Sequence, residues 1–143
     1  TRGAGPPGWP GSAEVGNMQP PDHLLKKGIM SLPTIGDGRQ SGTADSPSIL
    51  NASPESAAGG GLAWLRTGDI IRIDLNQGRC DMLVEPDEIE RRKADGIPTV
   101  PADATPWQRI YRKSVTQLSD GAVLEGAADF RQIAAKMPPR HNH

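Results

Sequence analysis

Two short stretches gather side chains that could do chemistry. "GDGRQSGT", residues 36–43, sets Asp37, Arg39, Ser41 and Thr43 among glycines, and "GWPGSAEV", residues 8–15, carries Glu14 in a Gly/Pro-rich segment. Glycine lets a backbone approach a ligand closely, and here it flanks a hydroxyl and a carboxylate. Residue types take the reading no further, because Ser/Gly loops are mostly plain turns. Asp37 and Arg39 suit a loop-bracing ion pair as well as substrate contacts, and Glu14 has the alternative of a solvated loop carboxylate. The chain has no GxSxG elbow, no Walker A pattern and no HExxH. Composition and spacing alone stop at a soluble α+β domain with polar loops.

The elements that must position these loops are short. Residues 20–28 predict a helix that starts on proline and stops at Gly28, and residues 29–35 a strand that Pro33 pushes toward an edge or an early end. "SPES", residues 53–56, predicts a brief helix with Ser53 as N-cap, Pro54 at the first position and Glu55 in the first turn. Residues 62–84 read as three strands joined by two turns. Ile71, Ile73 and Leu75 form an apolar face there, and Gly78 takes a positive φ in a hairpin turn. Cys80 falls on that hairpin as a small packed residue, and His23 sits exposed on the first helix. Residues 85–96 predict a charged surface helix closed by Gly96, followed by an extended Pro-rich link. A capping box from Thr105 to Gln108, with Pro106 between, opens another helix. Its apolar stripe of Trp107, Ile110, Tyr111, Val115 and Leu118 is expected to pack on the face of residues 62–84. A last short helix covers residues 125–136.

The 143 residues suffice for one domain. A hydrophobic fraction of 35%, with three Trp, one Tyr and one Phe, allows only a small core, which calls for a partner surface. Net charge is −1 with basic residues scattered, which argues against nucleic acid. No apolar run approaches membrane-spanning length. The single cysteine excludes an internal disulfide, excludes a zinc or iron–sulfur site ligated by this chain's cysteines alone, and fits a reducing cytoplasm. The opening "TRGAGPPGWPGSAEV" reads as mid-loop, so the sequence is expected to be part of a longer protein.

"RGAGPPGWPGSAEVGNMQPPDHLLKKGI", "SLPTIGDGRQSGTADSPSILNASPESAAGGGLAWLRTGDIIRIDL" and "DGIPTVPADATPWQRIYRKSVTQLSDGAVLE" resemble the C-terminal part of sugar-acid dehydratases. These are the pentonate (arabinonate and xylonate) members of the dihydroxy-acid dehydratase and 6-phosphogluconate dehydratase family. The resemblance covers essentially the whole chain. It implies an α+β, swivelling β-barrel-like C-terminal domain, incomplete in this chain, with short surface helices. Residues 1–143 would be its fragment: active-site loops over 1–61, a β-hairpin region over 62–84 and a helical part over 85–143. The implied reaction removes water from a 2,3-dihydroxy acid to give a 2-keto-3-deoxy acid. By resemblance, Ser41 is the base at C2, its alkoxide favoured by nearby metal charge. Thr43 contacts substrate, Glu14 ligates Mg²⁺, and His141 or His143 reaches the substrate from the C-terminal tail. A 2Fe–2S cluster is implied too, its ligands lying in an N-terminal dehydratase domain absent from this chain. The implied partners are the sugar-acid substrate, that N-terminal domain and further copies in a homo-oligomer, in the cytoplasm, with no nucleic acid and no membrane. The rival readings are a fragment of a dihydroxy-acid dehydratase of branched-chain amino-acid synthesis or of a phosphogluconate dehydratase, and a non-catalytic remnant that binds a partner chain.

Overall fold

The computed structural model of this chain describes residues 1–10, 20–39 and 47–131. The first helix is a single turn, α1 (Asp22–Leu25), running out at Gly28 with φ +78°. The strand expected over 29–35 shrinks to β1 (Thr34–Ile35), the two residues beyond Pro33, because proline has no N–H to give a ladder. It pairs in parallel with β2 (Ser48–Ile49), and the Thr34 hydroxyl donates to Ser48 Oγ at 2.9 Å.

The helix predicted with Ser53 as N-cap begins two residues later, as a 3-10 turn at Ser56–Ala58 with Glu55 in the N-cap position. Glu55 stays extended (φ −66°, ψ 164°) instead of entering a first helical turn, because its side chain is drawn inward. A second 3-10 turn, Gly61–Ala63, stands where the first strand of 62–84 was expected. Its carbonyls find no strand partner. The Arg2 guanidinium serves them instead, donating to Leu65 O at 3.0 Å and to Leu62 O and Ala63 O at 3.5 Å. Gly60 must be glycine, since a Cβ there would overlap the carbonyl of Pro54.

The hairpin forms as read. β3 (Ile71–Asp74) pairs antiparallel with β4 (Arg79–Met82), Ile71 facing Met82 and Asp74 facing Arg79, and Gly78 has φ +62° in the turn. Its apolar side is less covered than expected: Ile73 is 38% and Leu75 83% exposed. Cys80, expected to be packed, is exposed.

Helix α2 (Pro86–Ala94) has Pro86 in its first turn, acids at its start and Arg91, Arg92 and Lys93 at its end, each sign matching the helix dipole. Gly96 closes it with φ +85°. Arg92 ties α2 to the turn before β3, its guanidinium meeting both oxygens of Asp69 at 2.6 and 3.0 Å and donating to Trp64 O at 2.9 Å. Helix α3 (Pro106–Ser114) carries the full Thr105–Gln108 capping box but stops before the predicted stripe is complete. Val115 is extended and bridges to Leu124. Trp107 (78%) and Ile110 (53%) are exposed, so the stripe does not pack on the hairpin. Within the helix predicted over 125–136, a 3-10 turn stands at Ala127–Phe130 and Arg131 is helical, and the rest lies outside the described residues.

The described residues thus form an α+β structure with two two-stranded sheets and no closed barrel among them. No described helix is long and apolar enough to cross a membrane. The apolar core holds Leu62, Ala63 and Val115, whereas the largest fully buried side chains are Glu55, Asp37 and Ser56.

The Arg92–Asp69 pair has side-chain exposures of 11% and 10%, against 76% for Arg91 one position earlier. Removing Arg92 leaves a sheltered carboxylate without its bidentate partner. Arg92→Ala is expected to lower the melting temperature clearly and Arg91→Ala hardly at all; equal shifts in calorimetry would contradict this anchoring of α2.

Candidate functional site

The buried polar groups form one connected node. Asp37 is fully buried. Its Oδ2 accepts from Gly3 N at 2.9 Å, Ser56 N at 2.9 Å and Ser56 Oγ at 2.7 Å, and its Oδ1 accepts from Ala4 N at 3.1 Å. Ser56 Oγ in turn accepts from Gly3 N at 2.9 Å. Beside it, Glu55 Oε2 accepts from Gly8 N at 2.8 Å, while the Gln117 amide donates to Oε1 at 3.1 Å and accepts from Glu55 N at 2.8 Å. The backbone of residues 3–8 therefore lies directly on residues 36–38 and 55–56. Gly5 permits this, since any Cβ there would overlap the Glu55 carboxylate.

The two carboxyls are tuned in opposite senses. Burial pushes Asp37 up, but the hydrogen bonds from Ser56, Gly3 and Ala4 outweigh it and hold the group below its usual 3.8. Burial also dominates at Glu55, where Gly8 and Gln117 oppose it only in part and the charge of Asp37 adds to the rise, so this carboxyl sits above its usual 4.5.

Glu14, Ser41, Thr43, His141 and His143 all lie outside the described residues. What is described is the ground on which two of the loops stand. Asp37 sits four residues before Ser41, and Gly8 six residues before Glu14. Asp37 binds backbone and Ser56, not Arg39, so of the two readings weighed for this pair the ion pair gives way to a backbone-binding carboxylate. Arg39 is exposed and lines a hollow of about 140 Å³ with Ala4, Pro6 and Tyr111. That is below the few hundred Å³ of a whole ligand pocket and suits part of a ligand. His23 is exposed, as expected.

Glu55, Ser56 and Gln117 were not singled out for this role by the sequence. Glu55 follows Ser-Pro and reads locally as helix-start chemistry, yet its partners are 47 and 62 residues away. No local spacing signals such a pairing.

The described residues do not fit an inorganic cofactor. No group of three His, Cys, Asp or Glu side chains among them could hold a metal ion. Asp37 and Glu55 direct their oxygens at N–H and O–H donors, which leaves them poorly placed as ligands, and Cys80 is alone on the hairpin.

Every group facing Asp37 is a donor, so Asp37→Asn turns an NH₂ against one of them. A loss of about 1–3 kcal/mol at neutral pH is expected for such a mismatch. The pH dependence carries a sign. With its folded-state pKa depressed, Asp37 contributes stability in full above 3.8, and that share is lost as pH falls through the folded value. Glu55 works the other way, since its raised pKa makes the folded form bind its proton first, so its share grows as pH falls toward 4.5. Urea unfolding across pH 2–6 should show a shallower acid limb for Asp37→Asn than for the unaltered protein. An unchanged limb would mean Asp37 is not the depressed group.

The dihydroxy-acid/6-phosphogluconate dehydratase C-terminal family matches residues 1–122 of this chain. The chain is similar to a D-xylonate dehydratase of Caulobacter vibrioides, 75% identical over 142 residues, which cover 99% of this chain and 24% of that protein. It is 40% identical over 142 residues to a 6-deoxy-6-sulfo-D-gluconate dehydratase of Pseudomonas putida, covering 98% of this chain and 24% of that protein. To an L-arabonate dehydratase of Azospirillum brasilense it is 36% identical over 148 residues, covering 99% and 25%. The chain spans about a quarter of the length of these relatives. With 122 matched residues running from its first position, the chain belongs to the dihydroxy-acid/6-phosphogluconate dehydratase family and corresponds to that family's C-terminal part.

Proposed function

We propose that this chain is the C-terminal part of a hydro-lyase that dehydrates a sugar acid to a 2-keto-3-deoxy acid. The observation that carries this is the 75% identity to a D-xylonate dehydratase across 99% of the chain. The drop to 40% and 36% for dehydratases named for other sugar acids favours a substrate of the xylonate type. Residues 1–61 supply active-site loops, residues 62–84 the hairpin region and residues 85–143 the helical part. The swivelling β-barrel closes with strands from outside this chain. The whole enzyme is cytoplasmic and a homo-oligomer, and its N-terminal domain carries the ligands of a 2Fe–2S cluster.

In this reading Ser41, as its alkoxide, takes the proton from C2 and passes it to the departing C3 hydroxyl, which leaves as water; the enol left between C2 and C3 then takes a proton at C3 and gives up the proton of its C2 hydroxyl to become the keto acid. Thr43 and one of His141 and His143 hold the substrate. Glu14 is an oxygen ligand for Mg²⁺, with the other ligands outside this chain. The buried node supports the reading by fixing the backbone on which the Glu14 and Ser41 loops are mounted. Rigid mounting is what a proton transfer needs, because a misplacement of about 1 Å can cost on the order of a hundredfold in rate.

Two replacements in the full-length enzyme should fail differently. Ser41→Ala is expected to cut kcat by about 10²–10⁴-fold with metal content unchanged. Glu14→Gln is expected to lower bound Mg²⁺ measured by elemental analysis, with rate partly restored by excess Mg²⁺. Near-normal turnover in the first would end the serine-base role, and normal metal content in the second would end the ligand role. The 143-residue chain by itself, assayed for 2-keto-3-deoxy acid formation from xylonate or arabinonate, is expected to show no turnover; activity that co-purifies with it would overturn the division of the site between two domains.

A further inference from the structure

A single peptide unit, the one joining Pro7 to Gly8, is gripped at both ends by opposite charges. Its carbonyl accepts from Arg112 Nε at 2.7 Å, and its N–H donates to Glu55 Oε2 at 2.8 Å. A peptide bond is planar with its oxygen and hydrogen on opposite edges, so a partner on each edge resists rotation of the unit about the chain axis. Charged partners make these among the stronger hydrogen bonds available to a backbone.

Neither jaw is free to move. Arg112, on α3, spends its other nitrogens on Asp103 Oδ1 at 2.6 Å and Pro101 O at 2.9 Å, so the guanidinium plane is set by three acceptors. Glu55 is locked from behind by both atoms of the Gln117 amide. Tyr111, the neighbour of Arg112, lines the same hollow as Ala4, Pro6 and Arg39, and Arg39 lies two residues before Ser41. The clamp therefore holds residues 7 and 8 directly, while its neighbour Tyr111 shares a hollow with Arg39.

We propose that Arg112 and Glu55 are positioning residues for the dehydration, clamping the Pro7 to Gly8 peptide from which the chain runs on in sequence to Glu14. This rests on the reading of Ser41 as the base. Neither residue touches the reacting atoms. Their effect passes through the backbone of residues 3–8, while Asp37 fastens the other side of the same segment to residues 36–38. Lysine is a partial substitute at position 112, because an ammonium can reach one carbonyl but cannot present the planar fork that serves three acceptors at once.

The test uses the full-length enzyme, with Arg112→Ala, Arg112→Lys, Ser41→Ala and the double variant Ser41→Ala/Arg112→Ala, each assayed well below its own melting temperature. Arg112→Ala is expected to lower kcat about 10- to 100-fold with KM changed less than about threefold, and Arg112→Lys to recover part of that. Residual turnover of Ser41→Ala should be insensitive to the added Arg112→Ala, because a misplaced loop costs nothing once the proton acceptor it serves is gone. Wild-type kcat in folded Arg112→Ala, an effect confined to KM, or a loss that persists in full on the Ser41→Ala background would each overturn the positioning role. If Arg112→Ala does not fold, Glu55→Gln serves in its place. It keeps an oxygen for Gly8 but turns an amide toward the Gln117 amide, and the same kcat loss and the same insensitivity on the Ser41→Ala background are required of it. Full turnover of Ser41→Ala alone is a separate outcome. It sinks the serine-base reading, and the positioning role with it.

Discussion

The structure depends on one buried carboxylate being an acceptor in every direction. Asp37 has no exposed surface, and the four hydrogen bonds it receives come from residues 33, 34 and 19 positions away. A charge taken out of water is costly unless its lone pairs are used, and here they are. That requirement dictates the rest. Gly3 and Ala4 must turn their N–H groups inward, Ser56 must point its hydroxyl back, and Glu55 is carried next to Asp37 as a consequence. Among the described residues the interior is organised around acceptors and donors, with Leu62, Ala63 and Val115 as its buried apolar side chains.

Such an interior accounts for the exposed apolar side chains. Leu75, Trp107, Met30 and Phe130 are each more than half exposed. In a chain that spans a quarter of its relatives' length, those surfaces belong to a larger assembly in the reading proposed above. A small apolar core and a large open apolar surface are two views of the same incompleteness.

What the sequence disclosed follows the range of the interactions involved. The Thr105 to Gln108 capping box, Gly78 in the hairpin turn and Gly96 after α2 are settled within four or five residues, and each stands where it was read. The strand before β3, the helix start at Ser53 and the stripe through Leu118 failed because distant partners overrode local preference: Arg2 took the carbonyls near Leu62, the interior took Glu55, and Val115 paired with Leu124. Of the candidate site, the glycine-rich polar segments that bear Glu14 and Ser41 lie outside the described residues. The node that precedes them in sequence was not legible, since Glu55 and Gln117 are ordinary polar residues until the fold brings residue 8 and residue 117 together.

The opening "RGAGPPGWPG" reads at first as mere punctuation, but against the node it works as a register key. Slide the segment by one residue in one direction, and Pro7, which has no N–H, arrives where Glu55 needs a donor, while Ala4 brings a Cβ to the place where only Gly5 clears the carboxylate. Slide it the other way, and Pro6 collides at that same place. An oily core would tolerate a small slip with little complaint. A pair of buried carboxylates reads the segment residue by residue, so the alternation of glycine and proline leaves this strip of chain a single alignment out of the three.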